Sequence, residues 1–212
     1  MEQVQAVNGF GSLLFLVFFL ATVTLATLLL YRRARRRPAQ LVARAILACI
    51  CIYAAILTAL SLTSRTRQLA LGTDKCFDDW CASVTGARSL PNTNSTTASK
   101  LVAVTLHVSN RARGAAFRPS QPRVRLTLTT GSVAPSASAQ REFESHAGPQ
   151  QDLAKRLLAG ESFDSTLIFE VPAETRSASV VLLEGPAVVT WVVAGDENSF
   201  FHKKMVYPIV VQ

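Results

Sequence analysis

The chain has 212 residues, 49% of them apolar and 17% charged, with a mean hydropathy of +0.26. That balance excludes a disordered chain, a collagen-like repeat and a disulfide mini-protein. The formal charge of +8 would suggest a nucleic-acid partner if it were evenly spread, but six arginines fall between Arg32 and Arg44, and only +3 remains from Arg65 onward.

Residues 1–9 form a short tail whose one charge is Glu2. Phe10 to Tyr31 follows as an uncharged run of 22 residues. At about 1.5 Å per residue it is roughly 33 Å long, enough to cross a bilayer core. Residues 45–62 form a second uncharged run of 18, which Leu41, Val42 and Ala43 can lengthen around a snorkelling Arg44. Neither run carries the polar stripe of a soluble core helix, so both are predicted to be transmembrane helices. A cleavable signal peptide needs basic residues before its apolar core, and residues 1–9 have none.

Between the two runs, residues 32–44 carry Arg32, Arg33, Arg35, Arg36, Arg37 and Arg44. The positive-inside rule makes this loop cytoplasmic and sets the N-terminus and everything after the second helix on the outer side. Arg65 and Arg67 weigh the other way, two against six. The arginine run resembles a nucleic-acid-binding stretch in isolation; between two spans its role is topological, with lipid headgroups as its contacts and no nucleic acid expected.

The four cysteines sort by compartment. Cys49 and Cys51 lie within the second span on nearly opposite helix faces and cannot bridge each other. Cys76 and Cys81 fall outside, where an oxidising environment makes a disulfide the default. The competing reading is half of a zinc site completed by His107, His146 or His202, although no second cysteine pair or close histidine pair is present.

Residues 63–75 read as a linker and 76–212 as an outer domain rich in β-branched residues that alternate with polar ones. Strands are predicted near Trp80 to Val84, over Leu101 to Val108, around Val124, Leu126 and Leu128, and over Ser162 to Val171. Three more are predicted over Ala178 to Glu184, Val188 to Val193 and Lys204 to Val211. Pro91 to Ser99 and Ser132 to Gln140 read as polar loops, and Gln151 to Leu158 as briefly helical. Seven short strands with no βαβ rhythm give an antiparallel sandwich of immunoglobulin type, with a small barrel as the alternative.

Three segments carry a resemblance: Cys76-Phe77-Asp78-Asp79-Trp80-Cys81, then Leu158 to Phe163 leading to Ile168-Phe169-Glu170-Val171-Pro172, then Gly195 to Lys204. Over roughly residues 70–211 the chain resembles an uncharacterised bacterial family that joins N-terminal membrane spans to an immunoglobulin-like extracytoplasmic domain of unknown function. That domain is similar in fold to a secreted mycobacterial immunoprotective antigen, and its members are sometimes mislabelled as telomeric-repeat-binding. The resemblance implies the fold and an envelope location, and brings no activity with it.

Two clusters are the candidate binding or turn residues. Asp78 and Asp79 are adjacent, so on a strand they face opposite ways and cannot share a proton; turn-making, ligand contact and catalysis are the readings open to them. Trp80 reads as a core anchor or as a partner hot spot. Asp196, Glu197 and Asn198 are oxygen ligands without the spacing of a calcium loop, and a hairpin turn whose Asp and Asn cap backbone groups is the favoured reading; His202 precedes Lys203 and Lys204 at a strand end. No nucleophile elbow, phosphate loop or paired zinc histidines occur, so no catalytic residue, metal or cofactor is expected and the chain is not expected to be an enzyme.

The function expected from these features is that of a membrane-anchored envelope protein, multi-pass in the cytoplasmic membrane, presenting an extracytoplasmic binding or scaffolding module to an envelope protein or other outer ligand. An accessory subunit that docks on a transport or secretion complex through its helices is the alternative, and a metal-dependent or hydrolytic enzyme a minor one.

Overall fold

A computed structural model describes residues 3–5, 9–34, 40–77, 79–91, 99–185, 192–193 and 202–211. The chain divides into two units. One contains residues 1–6, 66–186 and 204–212, and the other residues 7–65 and 187–203.

The second unit is built on two long apolar helices, α1 (Gly9–Ala34) and α2 (Gln40–Thr63). Each holds a stretch of 21 residues apolar enough to cross a membrane, Leu13–Arg33 with hydropathy 2.7 and Ala43–Thr63 with hydropathy 2.5. Leu16, Leu20, Leu30, Leu47 and Ile52 are exposed, which is the surface a lipid-facing helix presents. The helices pack through Phe18 and Tyr53, whose ring centroids are 5.0 Å apart. Thr22, Thr24, Thr27 and Thr58 each donate to the carbonyl four residues back, so their hydroxyls are satisfied inside the helices.

The first unit is a β-sandwich. Sheet 1 has the order β1 (Gln3–Gln5), β2 (Asp74–Phe77), β3 (Trp80–Leu90), β4 (Ser99–Asn110), β7 (Ser162–Pro172). Sheet 2 has the order β6 (Gly131–Val133), β5 (Arg123–Leu128), β8 (Ser177–Leu183), β9 (Tyr207–Val210). Among these strands the pairings are antiparallel except β1 with β2, where Gln3, Val4 and Gln5 run parallel to Asp74, Lys75 and Cys76. The two-residue period decides the core. Val124, Leu126 and Leu128 are buried while Arg125 and Thr127 are exposed, and Val102, Val104, Leu106 and Val108 line the facing sheet.

Two polar side chains cross the apolar interior. The Lys75 ammonium reaches the carbonyl of Leu182 at 2.8 Å, and the Tyr207 hydroxyl donates to the carbonyl of Thr73 at 2.8 Å. Lys75 ties sheet 1 to sheet 2 directly and Tyr207 does so through a second bond to the Ala82 carbonyl at 3.3 Å, and each of the two side chains is fully buried.

The helical expectation for Gln151 to Leu158 is corrected. Asp152 Oδ1 accepts from the Ala154 N–H at 2.9 Å, a local bond that competes with helix formation, and Leu157 bridges to Phe117 instead. The helix lies earlier, at α3 (Ala137–Ala147), taking in part of the stretch read as a polar loop. Ser136 caps its first turn by accepting from the Ala139 N–H, and Gly148 ends it with φ 88, a left-handed value that glycine adopts without strain. Ala139 and Phe143, one turn apart, pack on Ala103 and Ile168. Of the later strand predictions, Val188 to Trp191 lie outside the described residues, and Val192 and Val193 are not in a strand.

Candidate functional site

The cysteine pair sits where β2 turns into β3. Cys76 and Cys81 are directly opposed in the ladder and joined as a disulfide, so no thiolate is left for the zinc alternative. Asp79 is exposed in the turn, and its carbonyl accepts from the Arg111 N–H at 2.8 Å. Trp80 is 3% exposed and packs at a tilt against Phe77, with ring centroids 5.2 Å apart, which makes it a core anchor. Its Nε1 has no hydrogen-bond partner among the described residues.

Sequence reasoning missed the polar face around this hairpin. Asp74 is fully buried beside the Arg111 guanidinium, one carboxylate oxygen bonded to it and Oδ1 without a partner among the described residues. Ser83, His107 and Asp164 share one rung across β3, β4 and β7, with His107 Nδ1 at 2.7 Å from Asp164 Oδ1. The order of the three resembles a nucleophilic triad. Ser83 is only 2% exposed, however, and no hydrogen bond joins it to His107 among the described residues, so the imidazole does not activate it in this geometry. Three scattered sequence positions gave no sign of this rung, because it depends on strand register.

Asp78, Asp196, Glu197 and Asn198 lie outside the described residues, as do Arg35, Arg36 and Arg37. His202 belongs with the helical unit, its Nδ1 3.0 Å from the Lys203 carbonyl. Arg32 is half-buried, while Arg33 and Arg44 are exposed at the facing ends of α1 and α2. Among the described residues no group of three His, Cys, Asp or Glu side chains is placed to hold a metal.

A groove of about 490 Å³ lies between β5 and β7. That volume is within the usual range for binding clefts. Val124, Leu153 and Leu167 give it an apolar base, and Arg123 and Arg125 flank it on the β5 side. The β7 wall is sealed by side-chain amides. Gln140 Oε1 accepts from the Ile168 N–H at 3.0 Å, its Nε2 donates to the Thr166 carbonyl at 3.0 Å, and Gln150 Oε1 accepts from the Thr166 N–H at 2.9 Å. The two glutamines thus stand in for a neighbouring strand and close an edge that would otherwise invite pairing. The β5 wall is different. β6 covers it only at Leu126, Thr127 and Leu128, leaving Arg123 to Arg125 paired on one side alone.

No family model matches the chain, and no curated protein does. Among solved structures, a conserved hypothetical protein from Bacillus anthracis is similar at 12% identity and a TM-score of 0.43, over 54% of this chain and 92% of that one. An uncharacterised β-sandwich protein from Clostridium difficile 630 is similar at 9% identity and a TM-score of 0.42, over 69% of this chain and 95% of that one.

Proposed function

We propose that this chain is a two-span envelope protein that holds an immunoglobulin-like sandwich outside the cytoplasmic membrane as a binding or scaffolding module. The observation that carries the reading is the pairing of β1 with β2. These strands come before α1 and after α2, yet they lie in one sheet, so two membrane-length helices separate segments that must share one side. Two crossings satisfy that constraint, and the six arginines between the helices support an outer location for the shared side. The half-open groove on the sandwich supports a binding role.

The test has two arms in intact cells, with Cys49 and Cys51 replaced by alanine. A membrane-impermeant maleimide is expected to label Glu174→Cys from outside and Arg36→Cys only after permeabilisation; the reverse pattern would overturn the orientation. Photo-crosslinking from exposed positions across the sandwich is expected to capture a specific envelope partner, and a sandwich that captures nothing would overturn the binding role.

One observation favours the accessory-subunit reading. Phe15, Phe19, Cys49, Ile50 and Leu57 line an apolar cleft of about 320 Å³ between α1 and α2, suited to a lipid chain or a partner helix. That reading predicts that residues 1–65 alone co-purify with a larger complex.

A further inference from the structure

Given the two-span reading proposed above, on which this rests, we infer that the chain enters the membrane a third time. Between β8 and β9 it dips into the outer leaflet beside α2, where the Tyr53 hydroxyl holds the Val192 carbonyl near mid-bilayer. The partner of this arm is the hydrocarbon of the outer leaflet.

Depth is set by α2. Tyr53 is the middle residue of the apolar stretch Ala43–Thr63, about 15 Å from its outer end at about 1.5 Å per residue. Its ring lies against α1, with centroids 5.0 Å from Phe18 and 6.2 Å from Phe15. The hydroxyl donates to the carbonyl of Val192, which belongs to the same structural unit. Each group needs the other. A threonine at such depth bonds the carbonyl one turn back, as Thr58 does, but a tyrosine hydroxyl stands too far from its own backbone. A backbone carbonyl meets no donor in hydrocarbon and persists there only with one supplied by protein. Val192 also lines the apolar cleft together with Phe18, Cys49 and Leu57, and Val193 is buried.

Both ends of the excursion lie on the outer side in that topology. β8 ends at Leu183, and the Gly185 N–H still donates to the Ser120 carbonyl of the sandwich at 2.8 Å. At the far end the Lys203 N–H donates at 2.9 Å to the Oγ of Ser64, the first residue after α2. Val206 then exchanges backbone bonds with Arg67 and Leu69, so the chain comes back beside the segment that leaves α2. From Gly185 to Val192 the extended chain reaches about 23 Å, more than the depth of about 15 Å requires. The composition agrees. No ionisable side chain occurs from Pro186 to Gly195, and residues 187–203 belong to the helical unit rather than to the sandwich. Asp196 and Glu197 come next, and the extended chain from Val192 to Asp196, about 13 Å, suffices to return the first carboxylate to headgroup level.

Trp80 and Trp191 are the two tryptophans, so Trp80→Phe leaves Trp191, the neighbour of Val192 in the chain, as the sole indole reporter. The full-length variant is placed in phosphatidylcholine nanodiscs and its emission followed with three quenchers: lipid brominated near the methyl end of the acyl chain, lipid brominated near the headgroup, and aqueous iodide. The deep bromolipid is expected to quench most and iodide least. Adding Tyr53→Phe deprives the Val192 carbonyl of its donor and is expected to shift quenching toward iodide, while Tyr31→Phe at the inner end of α1 leaves it unchanged. Strongest quenching by the shallow bromolipid or by iodide with Tyr53 intact would overturn the inference, and so would a quenching order indifferent to Tyr53→Phe. Emission untouched by all three quenchers would place Trp191 against protein rather than lipid and overturn it equally. The maleimide labelling of Glu174→Cys and Arg36→Cys separates the two readings. If labelling shows two crossings while iodide reaches Trp191, the third entry fails and the two-span reading stands; if the labelling pattern itself fails, both fall.

Discussion

Lys75 on one sheet donates to the carbonyl of Leu182 on the other at 2.8 Å, with its ammonium 5.0 Å from the centroid of the Phe77 ring. A lysine in the middle of a sandwich is tolerable only with such partners. Lys75→Ala removes them, leaves the Leu182 carbonyl buried without its donor and opens a cavity. We expect a loss of about 3 kcal/mol, read as a lowered melting temperature of the full chain in detergent.

Trp80 gives a contrasting case, because its Nε1 is buried without a partner among the described residues. Trp80→Phe deletes an unsatisfied donor along with some volume, so the two effects offset and the cost is expected to stay below about 1 kcal/mol. Trp80→Ala forfeits the packing on Phe77 as well, and about 3–5 kcal/mol is expected. Equal losses for the two variants in chemical denaturation would show that the indole nitrogen has a partner.

Gly185 is held against the loop that leads into β5, its N–H donating to the Ser120 carbonyl at 2.8 Å. A Cβ at this position would collide with that same carbonyl oxygen, which is backbone and cannot swing aside. Gly185→Ala is therefore expected to cost about 1–3 kcal/mol, whereas Gly114→Ala, where no atom crowds the added carbon, pays only for its left-handed backbone. Paired melting curves would check the order.

The glutamine seal on β7 makes a local prediction. Gln140→Ala strips one acceptor from the Ile168 N–H and one donor from the Thr166 carbonyl. About 1–2 kcal/mol of protection is expected to disappear at the Ile168 amide, while the Thr166 N–H keeps its bond to Gln150 Oε1. Hydrogen exchange would show the change confined to β7, with β4 unaffected; a uniform change would mean that α3 as a whole had detached.

The legible parts of this protein were those set by period and by compartment. The alternation at Val124, Leu126 and Leu128 gave the buried face of β5, and the position of Cys76 and Cys81 beyond the apolar runs gave their disulfide, though not the hairpin that holds it. α3 was obscured because Ser132, Pro135, Ser136 and Ser138 give its leading segment the composition of a loop; Ser136 as a cap, Phe143 one turn after Ala139, and Gly148 as a stop were the available signals. β1 was invisible for another reason. Three residues have no period to read, and their strand character comes only from the neighbour they meet. The same holds for the Ser83, His107 and Asp164 rung and for the half-covered edge of β5. Both are products of register, which fixes side-chain neighbours that no linear spacing records.

The N-terminal strand also orders events in time. β1 is synthesised first but cannot find its place until β2 has been made and both helices lie behind it in the chain. In the proposed topology, a molecule that inserts only one helix strands β1 and β2 in different compartments, and its sheet stays one strand short. In that topology a copy with a single helix inserted keeps a bare β2 edge, the kind of exposed backbone that proteases and chaperones can recognise.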